Sequence, residues 1–261
     1  MKYIKLVIEF DGTNYQGWQT QRSGRTIQDC MSGTIAGITG ESIKLISASR
    51  TDAGVHALGQ VAVFKTDSRL PADIMKRALN ARLPKDIRIL EAEALDYEFH
   101  PRYEALKKSY FYLIEKTQKQ SVFFHSFTWR IPVDLDLFSM NKASELLHGK
   151  HDFSAFRGTG CGARTTVRTI YSIILSRHDY IDFMTARIQG DFIKIRIEAN
   201  AFLRHMVRNI VGTLAEVGKG RISPETLTDI LASCDRKMAG PTAPAKGLFL
   251  EKVFYSDRES L

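Results

Sequence analysis

Residues 47–64 read SASRTDAGVHALGQVAVF. An apolar run, IKLISAS at 43–49, ends here, a polar turn follows, and a β-rich run resumes at QVAVF, 60–64. The stretch therefore reads as strand, loop, strand. Its loop gathers Arg50, Thr51, Asp52 and His56 around Gly54, a denser set of polar and ionisable groups than a turn needs. A loop between two strands can point a side chain out of a sheet while the strands hold it still, so Asp52 is a candidate functional carboxylate. An aspartate beside a glycine is equally an ordinary turn former, because its side chain accepts local backbone hydrogen bonds. Both readings stand at this point.

Outward from this loop, YIKLVIEF at 3–10 reads as a strand feeding the turn DGTNYQGWQ at 11–19. Residues 26–38 set Ile27, Cys30, Met31, Ile35 and Ile38 at helical spacing, with Gly33 and Gly37 weighing against a helix. PADIMKRALNARLP at 71–84 predicts a short amphipathic helix, and DIRILEAEAL at 86–95 a returning strand. The basic stretch RYEALKKS at 102–109 marks a join between two halves, 1–105 and 106–261, and leads into a strand at 110–116. Beyond it the pattern predicts a helix over 136–150, strands over 168–188 and 191–199, and a long helix over 202–217 with Gly218 just past its end. A further helix over 223–234 carries Ser223 as N-cap and Pro224 at its first position. The chain closes on the turn AGPTAPAKG, 239–247, and a strand at 248–255. Strands and helices interleave in both halves, which makes the fold class α+β, or mixed α/β.

Composition bounds the function. A chain of 261 residues buries roughly three-quarters of its unfolded surface and needs no staple to fold. Lys and Arg number 37 against 29 Asp and Glu, a formal charge of +8. Such an excess fits a polyanionic partner, which rewards a positive surface by releasing counterions, and it also fits a merely basic soluble protein. No apolar run approaches a membrane span, and MKYIKLVIEF at 1–10 reads as a strand and not as a signal peptide. The three cysteines, Cys30, Cys161 and Cys234, are far apart and odd in number, as expected of reduced thiols in a cytoplasmic protein. Asp52, His56 and His205 lack the tight spacing of a metal site. The turn 11–19 lacks the P-loop and dinucleotide fingerprints, and no nucleophile elbow is present.

On a helix over 202–217, Leu203, Met206, Val207, Ile210, Leu214 and Val217 share an apolar face, with Arg204 and Arg208 along one border and His205 pointing away. An arginine at such a rim can meet a carboxylate in a partly buried pocket, or lie over the stripe with its head in water. Tyr110 and Tyr112 alternate with Phe111 and Leu113. Alternating aromatics in a strand are commonly core, and a tyrosine facing a cleft can instead stack on an RNA base.

The segment SRTDAGVHALGQVAVF resembles the signature of the tRNA pseudouridine synthase A family, and the likeness continues along nearly the whole chain. DGTNYQGWQTQ, FHPRYEALKKSYFYLI, NAFLRHMVRNIVG and AGPTAPAKGLFLEKVFY are similar to further motifs of that family, in the same order. The resemblance implies a pseudouridine-synthase fold, with two α+β halves whose sheets meet around a cleft. It also implies an isomerase that converts uridine to pseudouridine at positions 38–40 of the tRNA anticodon stem-loop, as a homodimer, without cofactor or metal. Carried onto matching positions, it makes Asp52 the catalytic carboxylate, Arg208 its paired arginine, Tyr110 the tyrosine that stacks on the target base and Arg50 the arginine that displaces the nucleotide. The chain departs from the family's usual residues at Ser49, Ser109 and Arg204, none of which belongs to that set.

Overall fold

In the computed structural model, Lys2–Phe10 forms strand β1, with Ile4, Leu6, Ile8 and Phe10 buried in alternation. This period of two is what a strand facing one core imposes. The structure describes residues 1–183 and 185–256; Met184, inside the strand run expected over 168–188, lies outside the described residues. The chain divides into two compact units, one of Met1–Lys108 with the segment that begins at Phe249, the other of Ser109–Leu248.

In the first unit, helix α1 (Ile27–Thr39) starts at Thr26, whose side chain accepts the Asp29 N–H, and stops at Gly40 with φ +74°. Ile27, Met31 and Ile35 are fully buried, whereas Gly33 and Gly37 fall on the exposed side. Burial of each large apolar side chain contributes roughly 1.5–3 kcal/mol, which offsets the ~1 kcal/mol that each helical glycine costs. The strand expected over 43–49 contracts to β2 (Ile46–Ser47), paired antiparallel with β3 (His56–Thr66) at Ile46–Val63 and Ser47–Ala62. Helix α2 (Ala72–Arg82) buries Met75 and Leu79 and is fastened to β4 (Ile87–Leu95) by Asn80, whose amide exchanges hydrogen bonds of 2.9 and 2.8 Å with the backbone of Ile89. Strand β1 lies antiparallel between β3 and β4.

Strand β5 (Lys107–Lys116) leads into the second unit and is joined in parallel by a short strand that the sequence reading lacks, β6 (Trp129–Ile131). Helix α3 (Leu137–Glu145), capped by Asp136, is shorter than the 136–150 expected. Gly149, at φ +95°, turns the chain into β7 (Gly149–Asp152), which pairs with β8 (Val167–Phe183). Strands β8 and β9 (Ala186–Ala199) form a long antiparallel hairpin, and the order in this unit is β5-β9-β8-β7.

Helix α4 (Met206–Gly218) starts later than the 202–217 pattern predicts. His205 is left-handed, with φ +61°, and the Arg204 carbonyl accepts the Gly158 N–H at 2.8 Å, a position a longer helix would reserve for the residue 208 N–H. The apolar face is otherwise as expected: Met206, Val207, Ile210, Leu214 and Val217 are buried. Gly218 is the last helical residue, placed where a Cβ would meet Met140 Sδ at 2.6 Å, so its bareness lets α3 close on the end of α4. Helix α5 (Thr226–Ser233) begins after a tight turn in which Thr226 and Leu227 donate to the Ser223 and Pro224 carbonyls, so Ser223 and Pro224 precede the helix. The last strand, β10 (Leu248–Phe254), runs parallel to β3, pairing Phe249 with His56 and Leu250 with Ala57. The first-unit order is thus β4-β1-β3-β10, with β2 beside β3. Each unit mixes helices and strands, which is the α+β class.

Candidate active site

Asp52 lies half-buried in the loop between β2 and β3, with exposed Arg50 two residues before it and buried Thr51 between them. The entry to this loop is pinned by β3. Gln60, fully buried, donates from its amide to the Ser49 carbonyl at 2.7 Å and accepts the Ser49 N–H at 3.3 Å, standing in for a strand partner. The buried Lys108 ammonium donates to the Ala48 carbonyl at 2.5 Å. Past Asp52 the chain turns on itself, the Val55 N–H returning to the Asp52 carbonyl at 3.2 Å across Gly54, whose φ of +76° suits glycine.

The turn 11–19 braces the same loop from outside. Trp18 N–H donates to the Thr51 carbonyl at 3.1 Å, and Gly54 N–H donates to the Tyr15 carbonyl at 3.3 Å. The approach is close enough to require bare backbone: a Cβ on Gly12 would lie 2.0 Å from the Val55 carbonyl oxygen, and one on Gly17 2.5 Å from that of Thr51. His56 is buried, stacked on Phe249 at 4.7 Å, with Nδ1 at 3.1 Å from both the Gly12 N–H and the Asp11 carboxylate. Burial would raise the Asp11 pKa, but the His56 ring beside it and hydrogen bonds from Thr13 outweigh it and hold the group at about 2. His56 is therefore a fastener of this turn. Thr51 Oγ1 and Trp18 Nε1 are buried without a hydrogen-bond partner among the described residues.

Tyr110 and Arg208 belong to the second unit. Tyr110, on β5, is 7% exposed and meets Phe202 edge-to-face, ring centres 5.0 Å apart. Tyr112, two residues on, is fully buried and donates from its hydroxyl to the Pro244 carbonyl at 2.8 Å. Burial pushes its phenol well up, against the opposing charge of Arg208. Arg208 sits in the first turn of α4 and grips the neighbouring Ala243 from both ends: its Nε donates to the Ala243 carbonyl at 2.8 Å, and its own carbonyl accepts the Ala243 N–H at 3.0 Å. Arg204, expected beside Arg208 on one helical border, lies off the helix, exposed, and donates to the Thr159 carbonyl at 3.0 Å.

Of the four candidates, Arg50 and Asp52 share one loop of the first unit, and Tyr110 and Arg208 stand on separate elements of the second. The residues that hold them were not singled out by pattern. Gln60 and Lys108 look like ordinary strand polar residues, and their role depends on a carbonyl distant in sequence. Gly12 and Gly17 carried a signal, two glycines within one short turn, that only their close contacts explain.

A family model described as tRNA pseudouridine synthase matches residues 6–104 and 143–256. Among curated proteins, tRNA pseudouridine synthase A of Acetivibrio thermocellus is 48% identical over 98% of this chain and 100% of its own length. The proteins of the same name from Thermoanaerobacter sp. and Thermodesulfovibrio yellowstonii are each 44% identical over the same shares. A solved archaeal box H/ACA sRNP Nop10-Cbf5 complex aligns with 90% of this chain and 60% of that one, at 11% identity and a TM-score of 0.32. A superposition that loose bears no weight on function.

Proposed function

The chain belongs to the tRNA pseudouridine synthase family, and on that premise we propose that Asp52 carries the isomerisation of uridine to pseudouridine at positions 38–40 of the tRNA anticodon stem-loop. The reaction moves uracil from one attachment to another on the same ribose. The N1–C1′ bond breaks, the ring turns, a C5–C1′ bond forms, the C5 proton leaves and N1 ends protonated. Atoms and electrons balance within the substrate, with nothing oxidised. Asp52 either adds to the substrate or acts as a base at the ribose to yield a glycal, and in both roles it must be ionised in a site emptied of water.

Arg208 supplies the positive charge that opposes neutralisation of that carboxylate. The target uridine must leave its stack, at a cost of about a few kcal/mol. Arg50 fills the space it vacates, and Tyr110 covers the extruded base. The surplus of 37 Lys and Arg over 29 Asp and Glu supports a salt-dependent hold on the RNA backbone. The reading extends to a cytoplasmic homodimer. No helix among the described residues is long and apolar enough to cross a membrane; the dimer is checked by sedimentation of the purified protein.

One observation carries this reading: the family match runs through the loop of Asp52, and that loop is braced by the turn 11–19 and by β3. The test is tritium release from tRNA labelled at uridine C5. Steady release, with pseudouridine appearing in the intact RNA, is the expected result. Stoichiometric binding without release, or free uracil in the supernatant, overturns it.

A further inference from the structure

In the second unit, Arg236 spends its guanidinium on neutral oxygens. Nη1 donates to the Ala239 and Gly240 carbonyls at 3.2 and 2.9 Å, and Nη2 donates to Asn209 Oδ1 at 3.1 Å and Thr242 Oγ1 at 3.0 Å. None of these acceptors is a carboxylate, and burial disfavours the charge. Arg236 is therefore not placed as an ion pair; it organises a piece of chain.

That piece is the segment 239–243, laid against α4. Thr242 Oγ1 donates to Asn209 Oδ1 at 2.6 Å, and fully buried Asn209 donates from Nδ2 to the Phe156 carbonyl at 2.8 Å. Gly240 N–H donates to Thr213 Oγ1 at 2.9 Å. Pro241 comes so near the helix that a Cβ on Gly212 would lie 1.7 Å from its carbonyl oxygen. Asn209 follows Arg208 in the chain, and Ala243 follows Thr242. The clamp therefore grips the immediate neighbours of both members of the Arg208–Ala243 pair.

We propose that Arg236 and Thr242 are positioning residues for Arg208. By fixing the segment 239–243 on α4 they fix where the Ala243 carbonyl stands. Because that carbonyl holds the Arg208 Nε–H, and a guanidinium is planar, it also sets the direction of both terminal nitrogens. Placement matters in catalysis, since a shift of about 1 Å at a reacting group can cost on the order of 100-fold in rate. The proposal rests on the role given above to Arg208 and goes beyond it by naming what aims that side chain.

The experiment compares Thr242→Val, Thr242→Ser, Arg236→Lys and Arg208→Gln by tritium release across pH, with thermal unfolding to confirm folding. Thr242→Val, near in volume and unable to donate, is expected to lower kcat about tenfold while KM for tRNA stays within about twofold. It moves the acid limb of the pH–rate profile to higher pH, as Arg208→Gln does more strongly. Adding it to Arg208→Gln costs little more, the non-additivity of groups acting through one another. Thr242→Ser restores turnover, and Arg236→Lys, which cannot span the four acceptors, behaves like Thr242→Val. If Arg236→Lys fails to fold, the two Thr242 variants decide the matter. Wild-type kcat and pH profile in Thr242→Val, with both impaired in Arg208→Gln, overturn the positioning role and leave the reading of Arg208 intact. A wild-type Arg208→Gln removes that reading, and the positioning role with it.

Discussion

The loop of Asp52 and the arginine of α4 are held by different means. Around the loop, side chains of Gln60 and Lys108 hold the entry at Ser49 and Ala48, but from Thr51 onward main chain meets main chain: Trp18 and Tyr15 bond to Thr51 and Gly54, and Gly12 and Gly17 let the two turns touch. Around Arg208, side chains do much of the fastening, with Arg236, Thr242 and Asn209 tied together, while Gly212 and Gly240 supply bare approaches. A loop braced through its backbone tolerates a changed side chain without moving. An arginine aimed by a side-chain clamp is disturbed by changes several residues away. The two regions should therefore fail differently, chemistry first in one and geometry first in the other.

The sharpest break is Asp52→Asn. The change is nearly isosteric and the loop is held through backbone groups of Thr51, Asp52 and Gly54, so the variant should stay folded and tRNA binding by gel shift should stay near wild type. Tritium release should fall by about 10⁴-fold or more, the scale seen when an essential catalytic group is removed. Residual turnover within tenfold of wild type would strip Asp52 of its role. Tyr110→Phe should come next, losing on the order of 100-fold in turnover with RNA binding kept, if the hydroxyl assists removal of the C5 proton. Wild-type turnover there reduces Tyr110 to a stacking platform.

A matched pair of glycine substitutions sharpens the contrast. Gly12→Ala forces a methyl group toward Val55, and Gly212→Ala forces one toward Pro241. Each should lose about 1–3 kcal/mol, or somewhat more, in denaturant unfolding, the cost of overpacking a tight contact. Added Thr242→Val should worsen the turnover of Gly12→Ala independently but that of Gly212→Ala hardly at all, because the latter already loosens the clamp. Equal worsening in both would show that the clamp and the Gly212 contact are separate.

The smallest effect is one of pH. Asp11 is held at about 2, below its ordinary 3.8. A lowered carboxylate contributes stability above its unfolded pKa and loses it as pH falls through the folded value. Acid should therefore weaken the first unit between about pH 4 and pH 2, and Asp11→Asn should flatten that dependence. Because Asp11 is partly exposed, the effect stays below about 1 kcal/mol. An unchanged slope in Asp11→Asn would move the acid sensitivity elsewhere.

Much of the fold was legible because it depends on neighbours in sequence. The alternation in β1, the buried Ile27, Met31 and Ile35 of α1 and the apolar face of α4 follow from periods of two and 3.6 residues. The pattern makes the helices over 202–217 and 136–150 longer than they are. Periodicity continues through His205, but tertiary contacts around Arg204 give His205 a left-handed backbone that no helix accepts, whereas α3 ends at Glu145 and Gly149 turns the chain into β7. Ser223 and Pro224 form a textual helix start that the tight turn before α5 takes up instead.

Taken alone, the amino-acid order determined most of the segments that become helix or strand and the family to which the chain belongs, because side-chain period and local motif are properties of short stretches. Tertiary structure alone decided the return of β10 to β3, the departure of Arg204 from α4, and the aiming of Arg208 through Arg236 and Thr242. Each of these rests on a hydrogen bond or strand pairing between groups far apart in sequence or on a backbone turn that such contacts impose, and no local pattern encodes them.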